Sequence, residues 1–477
     1  MASAQTVSFS QERSKTDLFT VSNCHIVGQK DGLYVGVVGA FANGVRNITH
    51  VMEVITFNDN MEVRSSQKIA EARKLDFLQA SMVGNDLHLL LQDPIGLKQR
   101  GIYTAHVTIG GAVEEPKYVA RLESEKWANF FVDSRSSENG EFFVVRILWV
   151  KKDASATQIL LFDKTMNLLW DKTYDYAIDE VMLDDYGMVY AANCYTDDQS
   201  VGHASVFVFD GLGNPNVYSF DFPDVSFCRS SLLRVKDGKV LIGGFASSQK
   251  GRKDNYADLF FGLLVNGTTG VIDKFDCKPI EADDIYGVSN LKYGKKIKRM
   301  DIYAQKLVSM GVEPTPEGVA VGYSNHWVVE VTQNGVPQYT EYNTAGSLVF
   351  FVDNGGNVRW HHGIPGRICQ KDYGGAHTHP CFFADGEDVV LIQSESPKNS
   401  RTEVNRQAKP AIVGLLKPVK AMVCAYRMTP DGMVQKCAFD DPHRTWVMPA
   451  HYRLPDGRTM FLQCHFGMRS NTATYVK

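Results

Sequence analysis

His377, His379 and Cys381 stand at alternate positions in one short segment. In an extended chain they share a face, because successive side chains point to opposite sides. Imidazole and thiolate are ligands for zinc or copper. A metal needs a fourth ligand from elsewhere, and H-x-H-x-C is not a diagnostic spacing. The segment is therefore a metal candidate only, and no cofactor is expected. The same stretch holds His361, His362, Arg367, Cys369, Lys371, Asp372 and Tyr373. A second polar cluster follows at Asp440, Asp441, His443, Arg444, Trp446 and His451. An aromatic ring with Arg and His nearby suits a sugar or a peptide. The plain alternative is hydrogen bonding between packed repeats, with Cys381 in the core.

Catalytic motifs do not reinforce these clusters. No G-x-S-x-G, phosphate-binding loop or dinucleotide fingerprint occurs. Asp184-Asp185 and Asp283-Asp284 are adjacent, so in extended chain their carboxylates point apart, and the first pair reads as a turn. The leading expectation is a non-catalytic binding or assembly module. The competing one is a glycan or ester hydrolase or lyase, with His377, His379, His443 and Arg444 at a central funnel.

The elements that would position these residues are strands. Segments such as Val206-Phe207-Val208-Phe209 and Leu348-Val349-Phe350-Phe351-Val352 are short, β-branched or aromatic, and bounded by Gly, Asn or Asp. Helical periodicity is rare, with one candidate at Lys298–Met310. Turn markers recur at Asp31-Gly32, Gly84-Asn85-Asp86, Asn139-Gly140, Tyr186-Gly187, Asp237-Gly238, Glu317-Gly318, Asp385-Gly386 and Asp456-Gly457, at intervals of 47 to 80 residues. A second series sits between them, at Asn58 to Asn60, Gly110-Gly111, Asp163 to Asn167, Asp210 to Asn214, Asn266-Gly267, Asp353 to Asn357 and Asp431-Gly432. The two series read as the A–B and C–D hairpins of repeating blades. The expected fold is all-β: a single β-propeller over 1–477, of eight four-stranded blades, with seven as the alternative. The last blade lacks an outer strand, and residues 5–10 are free to supply it and close the ring.

In such a fold the long connections belong to the B–C and D–A set. Residues 282–310 form one insertion, with Lys295 and Lys296 in a basic run. Residues 394–420 form another, and 323–346 extends a B–C loop carrying Trp327. Loops on a rigid scaffold are where binding usually lives. One elaborated face is therefore expected, offering Arg367, Tyr373, His377, His379, His443, Arg444, Trp446, Trp327, Lys295 and Lys296 to a partner.

Phe162-Asp163 to Asn167 and Trp170, with its echo at Asp353, Asn357 and Trp360, gives F-D-x-x-x-N-x-x-W strings. Together with the Ala2-Ser3-Ala4 start and the blade texture, these resemble the exported β-propeller proteins of Bacteroidetes-type bacteria. The resemblance implies a periplasmic or cell-surface location and a role beside an outer-membrane assembly. A cytoplasmic protein is the alternative. Hydrophobic residues are 44% and charged residues 22%, ordinary globular usage, with a net charge of −4. A wholesale nucleic-acid binder is not expected, and no window is apolar enough for a transmembrane helix. The expected partner is a protein, as in an outer-membrane complex, or a glycan. The nine cysteines show no CxxC spacing and read as small buried hydrophobes.

Overall fold

Phe142–Lys151 and Lys239–Ser247 are buried along nearly their whole length. Leu168–Tyr174 and Pro215–Phe222 alternate between exposed and covered. A strand apolar on both faces needs a cover on each side, and an alternating one marks a sheet's rim. Stacked sheets radiating from an axis satisfy both conditions. The computed structural model describes residues 6–9, 21–41, 50–58, 63–69, 75–93, 99–123, 129–151, 154–248, 256–289, 297, 302–304, 307–333, 336–371, 380–399, 411–413, 422–440, 446–454, 457–465 and 469–476.

Among these residues, seven sheets are antiparallel with four strands each, one, sixth along the chain, is mixed with five, and Tyr256–Ala257 and Ile302–Tyr303 form a two-stranded pair. The first strands touch in succession. Val21–Lys30 meets Asp76–Val83, which meets Asn129–Ser136, then Glu180–Leu183, then Ser226–Lys236. The last of these touches the sixth sheet. There Leu307–Pro314 meets Cys381–Asp385, which meets Trp446–Arg453, and that strand returns to Val21–Lys30. The fold is a single β-propeller. Thr6–Phe9 pairs antiparallel with Arg469–Val476, from Thr6 opposite Val476 to Phe9 opposite Ala473.

The core is divided accordingly. One cluster joins Val54 and Leu75 across the first two sheets. Others join Phe162 to Ile102, Phe207 to Leu161, and Phe261 to Val206, each across consecutive sheets. The largest lies between the fifth and sixth sheets, around Phe245, Phe260, Tyr323 and Phe350.

The first series of turn markers falls on connections between first and second strands, except that Asp456 lies outside the described part. The second falls on connections between third and fourth strands, except that residues 59–62 lie outside the described part. The aspartate turns work as their sequence suggests. Asp163 Oδ1 accepts the Thr165 and Asn167 N–H groups at 2.8 and 3.0 Å. Asp210 does so for Leu212 and Asn214, and Asp353 for Gly355 and Asn357. The aromatic that follows covers the equivalent turn of the next sheet. Trp170 lies on Gly213, Tyr218 on Gly270, and Trp360 on Gly432. Each contact has a polar tie nearby. Tyr174 Oη donates to Gly213 O at 2.5 Å, Tyr218 Oη to Thr268 O at 2.9 Å, and Trp360 Nε1 to Pro430 O at 3.1 Å.

Two expectations fail. Lys298–Met310 is not a helix: Ile302–Tyr303 and Leu307–Pro314 are strands, the second being an innermost one. Ile302 and Leu307 are buried in the core between the fifth and sixth sheets, and that burial outweighs weak helical spacing. Asp283-Asp284 is not extended; it opens the helix α1, Ala282–Ser289.

Gly270 and Gly84 separate contact from conformation. Both have left-handed φ, +68° and +63°, but only at Gly270 would a methyl overlap a ring, that of Tyr218. Gly84→Ala should cost about 1 kcal/mol of backbone strain. Gly270→Ala should cost about 1–3 kcal/mol more, as overpacking does. Urea unfolding of both variants measures the difference, and equal losses would remove the ring contact as a stabilising feature.

Candidate functional site

The sixth sheet departs from its neighbours in strand length. Gly318–Gln333, Val336–Asp353 and Val358–Lys371 have 16, 18 and 14 residues. The first strand of that sheet ends its pairing at Leu307 opposite Asn325. Beyond it, His326 to Gln333 continue paired to Val336–Thr344 on one side only, among the described residues. At about 3.3 Å per residue, eight further residues project about 25 Å. The register shifts at Ser324/His326 and at Thr344/Gly346. Such bulges bend a strand and increase its twist, so they mark where the blade ends and an arm begins. The expected loop 323–346 is thus largely regular sheet. Ile368 to Gln370 pair in parallel with Ala411 to Val413, which brings part of the 394–420 insertion onto the arm.

Trp327 and Val329 are 37% and 40% exposed and stand two residues apart on one strand. They therefore share a face. Arg367 is exposed on the third strand of the same sheet.

Helix α1 braces the root of the arm. Its Asp284 Oδ2 accepts the Glu281 N–H at 2.8 Å, half of a capping box. The same oxygen lies 2.8 Å from His361 Nδ1, with side-chain exposures of 2% and 9%. The His361 ring stacks on Phe260, centroids 4.6 Å apart. One residue pair on, backbone meets backbone: a methyl on Gly287 would overlap the Gly363 carbonyl carbon, and one on Gly346 would overlap the Gly287 oxygen. Asn325 Nδ2 donates to Val288 O at 3.1 Å. The helix thus grips both bulges.

The sequence-derived site is brought together only in part. Tyr373, His377, His379, His443, Arg444, Lys295 and Lys296 lie outside the described residues, as does the side chain of Trp446, which opens Trp446–Arg453. Cys381 is buried among Phe383, Val390 and Ile392. Burial pushes its thiol well up, which opposes the thiolate a metal would need. His362 Nε2 lies 2.8 Å from Gly432 O, a tie to the next sheet. Cys194 and Cys424 are also buried and unbridged.

A second group, missed by the sequence reading, lines the ring of first strands. Glu180 opens the first strand of the fourth sheet, with Arg135 Nη2 of the third sheet 4.0 Å away. Arg146 is committed to Asp133 by two bonds, at 2.8 and 3.0 Å, and to the carbonyls of Ile178 and Asp179. Arg229 of the fifth sheet donates to the carbonyls of Ala304 and Leu307 and lies 4.9 Å over the Tyr323 ring. Burial pushes the Glu180 carboxyl up to about 7, against the pull of Arg135 and then Arg146. At the tight-turn end, Arg234 forks onto Glu138 at 2.6 and 2.7 Å and reaches Thr315 O at 3.0 Å. That residue ties the third, fifth and sixth sheets. No spacing in the sequence marks these residues, because they come from several different sheets.

No protein-family model matches this chain, and no curated protein matches it in sequence. Among solved structures it is similar to a Bacteroides caccae protein of unknown function, at 11% identity and TM-score 0.29, covering 73% of this chain and 97% of that one. It is also similar to the β-propeller domain of the Trilobed protease from Pyrococcus furiosus, at 10% identity and TM-score 0.37, covering 88% and 99%. Chaetomium thermophilum Sqt1 gives 12% identity and TM-score 0.38, covering 95% and 97%. Sqt1 has also been solved bound to the N-terminus of the ribosomal protein L10. At these scores the likenesses carry no argument about function, and the propeller assignment rests on the ring of first strands.

One more buried acid gives a pH test. Glu313, on Leu307–Pro314, accepts the Ala384 N–H at 3.3 Å, and burial pushes its carboxyl up to about 7. Its folded value lies above its unfolded one, so the folded state holds more protons between the two. The stability it contributes is present below the unfolded value and is lost as pH rises to about 7. Urea unfolding of Glu313→Gln at pH 5, 6 and 7.5 should show a smaller fall with pH than the parent. Parallel curves would remove this carboxyl as a titrating group.

Proposed function

We propose that this chain is a non-catalytic binding or assembly module that docks a protein partner through its loop-bearing face. The observation that carries the reading is the arm of the sixth sheet. It extends far beyond what a blade needs, is braced at its root, and presents Trp327 and Val329 outward. A strand buried only along its inner half has no packing reason to continue. Interfaces concentrate their energy in a few exposed aromatic anchors. A glycan is the second ligand class that such an aromatic face suits.

In this reading the five-stranded sheet is the sixth of eight blades and the N-terminal strand closes the ring, a closure supported by the pairing of Thr6–Phe9 with Arg469–Val476. The connections after Pro279 and after Glu395, which lead into 282–310 and 394–420, leave from the same end of their sheets as the arm. The connections in question leave their sheets at the end opposite the tight turns. The setting we favour is the periplasm or cell surface, beside an outer-membrane complex. Among the described residues no helix is long and apolar enough to cross a membrane.

The test is affinity purification of the tagged chain from membrane and soluble fractions of its native source. The parent should retain a stoichiometric partner. Trp327→Asp, and a version with residues 328–341 replaced by a short turn, should lose that partner at least tenfold while keeping the parent's urea midpoint. Retention by the shortened arm would overturn the docking role.

A further inference from the structure

Among the described residues, Glu180 is an acid of the inner ring whose hydrogen-bonding surroundings do not account for it. Its side chain is 21% exposed, so a small solute reaches it. Among the described residues it accepts no hydrogen bond, and its ion pair with Arg135 stands at 4.0 Å, beyond hydrogen-bonding distance. Removing a carboxyl from water without a partner is costly, so its unmet capacity marks a place made for another group.

The neighbours indicate the chemistry of that group. On the third sheet, Asp133 holds Arg146, leaving that pair neutral. Arg135 makes one bond, to its own strand at Ser134 O, at 3.3 Å. On the connection before Glu180, burial raises the Asp179 carboxyl while Arg146 pulls it down. On the fifth sheet, Arg229 spends its bonds on carbonyls and its face on Tyr323. The guanidinium charges of Arg135 and Arg229 are therefore not matched by a hydrogen-bonded carboxylate. A protonated Glu180 adds an O–H donor beside the Arg135 fork.

We propose that the axis wall between the third and fifth sheets binds a small oxyanion, held by the Arg135 guanidinium and by the carboxyl of Glu180. Guanidinium donors match oxyanion geometry, and such charge-assisted bonds are the strong ones. Binding takes up the proton that Glu180 needs to donate. No bond is made or broken, and the charge brought by the anion is offset by that proton and by Arg135. Arg234 and Glu138 stand below, at the tight-turn end, and belong to the scaffold.

The probes are malonate, whose two carboxylate groups are each planar, and sulfate, a tetrahedral anion that does not titrate near neutrality. Calorimetry in buffers of different ionisation enthalpy reads affinity and proton uptake together. The expected result is saturable binding with proton uptake, and affinity falling about tenfold per pH unit above neutrality. Glu180→Gln should bind with no pH dependence and no uptake, since its amide still donates. Arg135→Gln should lose binding at least tenfold. That side chain is substantially exposed, so the variant should keep the parent's urea midpoint. Binding of malonate alone assigns the site to carboxylates, and of sulfate alone to tetrahedral anions. The proposal is overturned if neither binds at millimolar concentration, if Arg135→Gln binds as well as the parent, or if uptake persists in Glu180→Gln. None of these outcomes touches the arm, so this site and the docking role fail separately.

Discussion

Every sheet of this ring has two faces, and only the sheets beside it can cover them. That constraint governs the rest of the structure. It explains why second strands such as Lys239–Ser247 are apolar on both faces and why each core cluster spans two consecutive sheets. It also explains why the turns carry glycine. Trp170, Tyr218 and Trp360 reach from an outer strand onto the next sheet's turn, where a Cβ would stand in the ring's place. Close packing propagates from sheet to sheet, so a change at one seam is felt at its neighbours.

The arm follows from the same constraint. Within the ring, a strand cannot lengthen without finding cover. Past the rim that requirement lapses, and the sixth sheet continues only after two bulges have redirected it. The break needs support, and α1 supplies it through backbone contact at Gly287, Gly363 and Gly346 and through the Asp284–His361 pair. A buried polar pair is weak evidence for stability but good evidence for a fixed arrangement. Here it fixes the angle at which the arm leaves the blade.

What was legible in the sequence was whatever is local. An Asp with an Asn four residues on writes a turn in its own hydrogen bonds, so the hairpins could be located and ordered from composition alone. The 298–310 segment misled because its apolar spacing suits a helix, whereas its neighbours in space demand a strand. The true helix is one turn shorter than most and is signalled only by Glu281 and Asp284, a capping pair easily read as acidic loop. Glu180, Arg135 and Arg229 come from three sheets, and nothing in their spacing brings them together. The His377 to Cys381 segment drew attention through residue type. Its one described member, Cys381, turned out to be core.

Buried polar groups in this chain fall into two kinds, and hydrogen-bond satisfaction separates them. Glu395 accepts bonds from Tyr426 Oη at 2.5 Å, Gln393 Nε2 at 2.9 Å and Lys436 Nζ at 3.1 Å. It sits at the root of the 394–420 insertion, and nothing is left over for a ligand. Nearer the surface, the half-buried His203 is likewise held on both ring nitrogens, by Asp221 at 2.8 Å and Asp197 at 3.1 Å. These networks specify structure, since a satisfied cluster rigidifies what it joins. Glu180 is surrounded by three guanidinium groups; those of Arg146 and Arg229 have their hydrogen bonds elsewhere, while Arg135 makes one, to Ser134 O, among the described residues. A rigid ring can hold such a group in place because its position is set by strands and seams that do not depend on it. Affinity then comes from groups already arranged, with little ordering left to do when the ligand arrives.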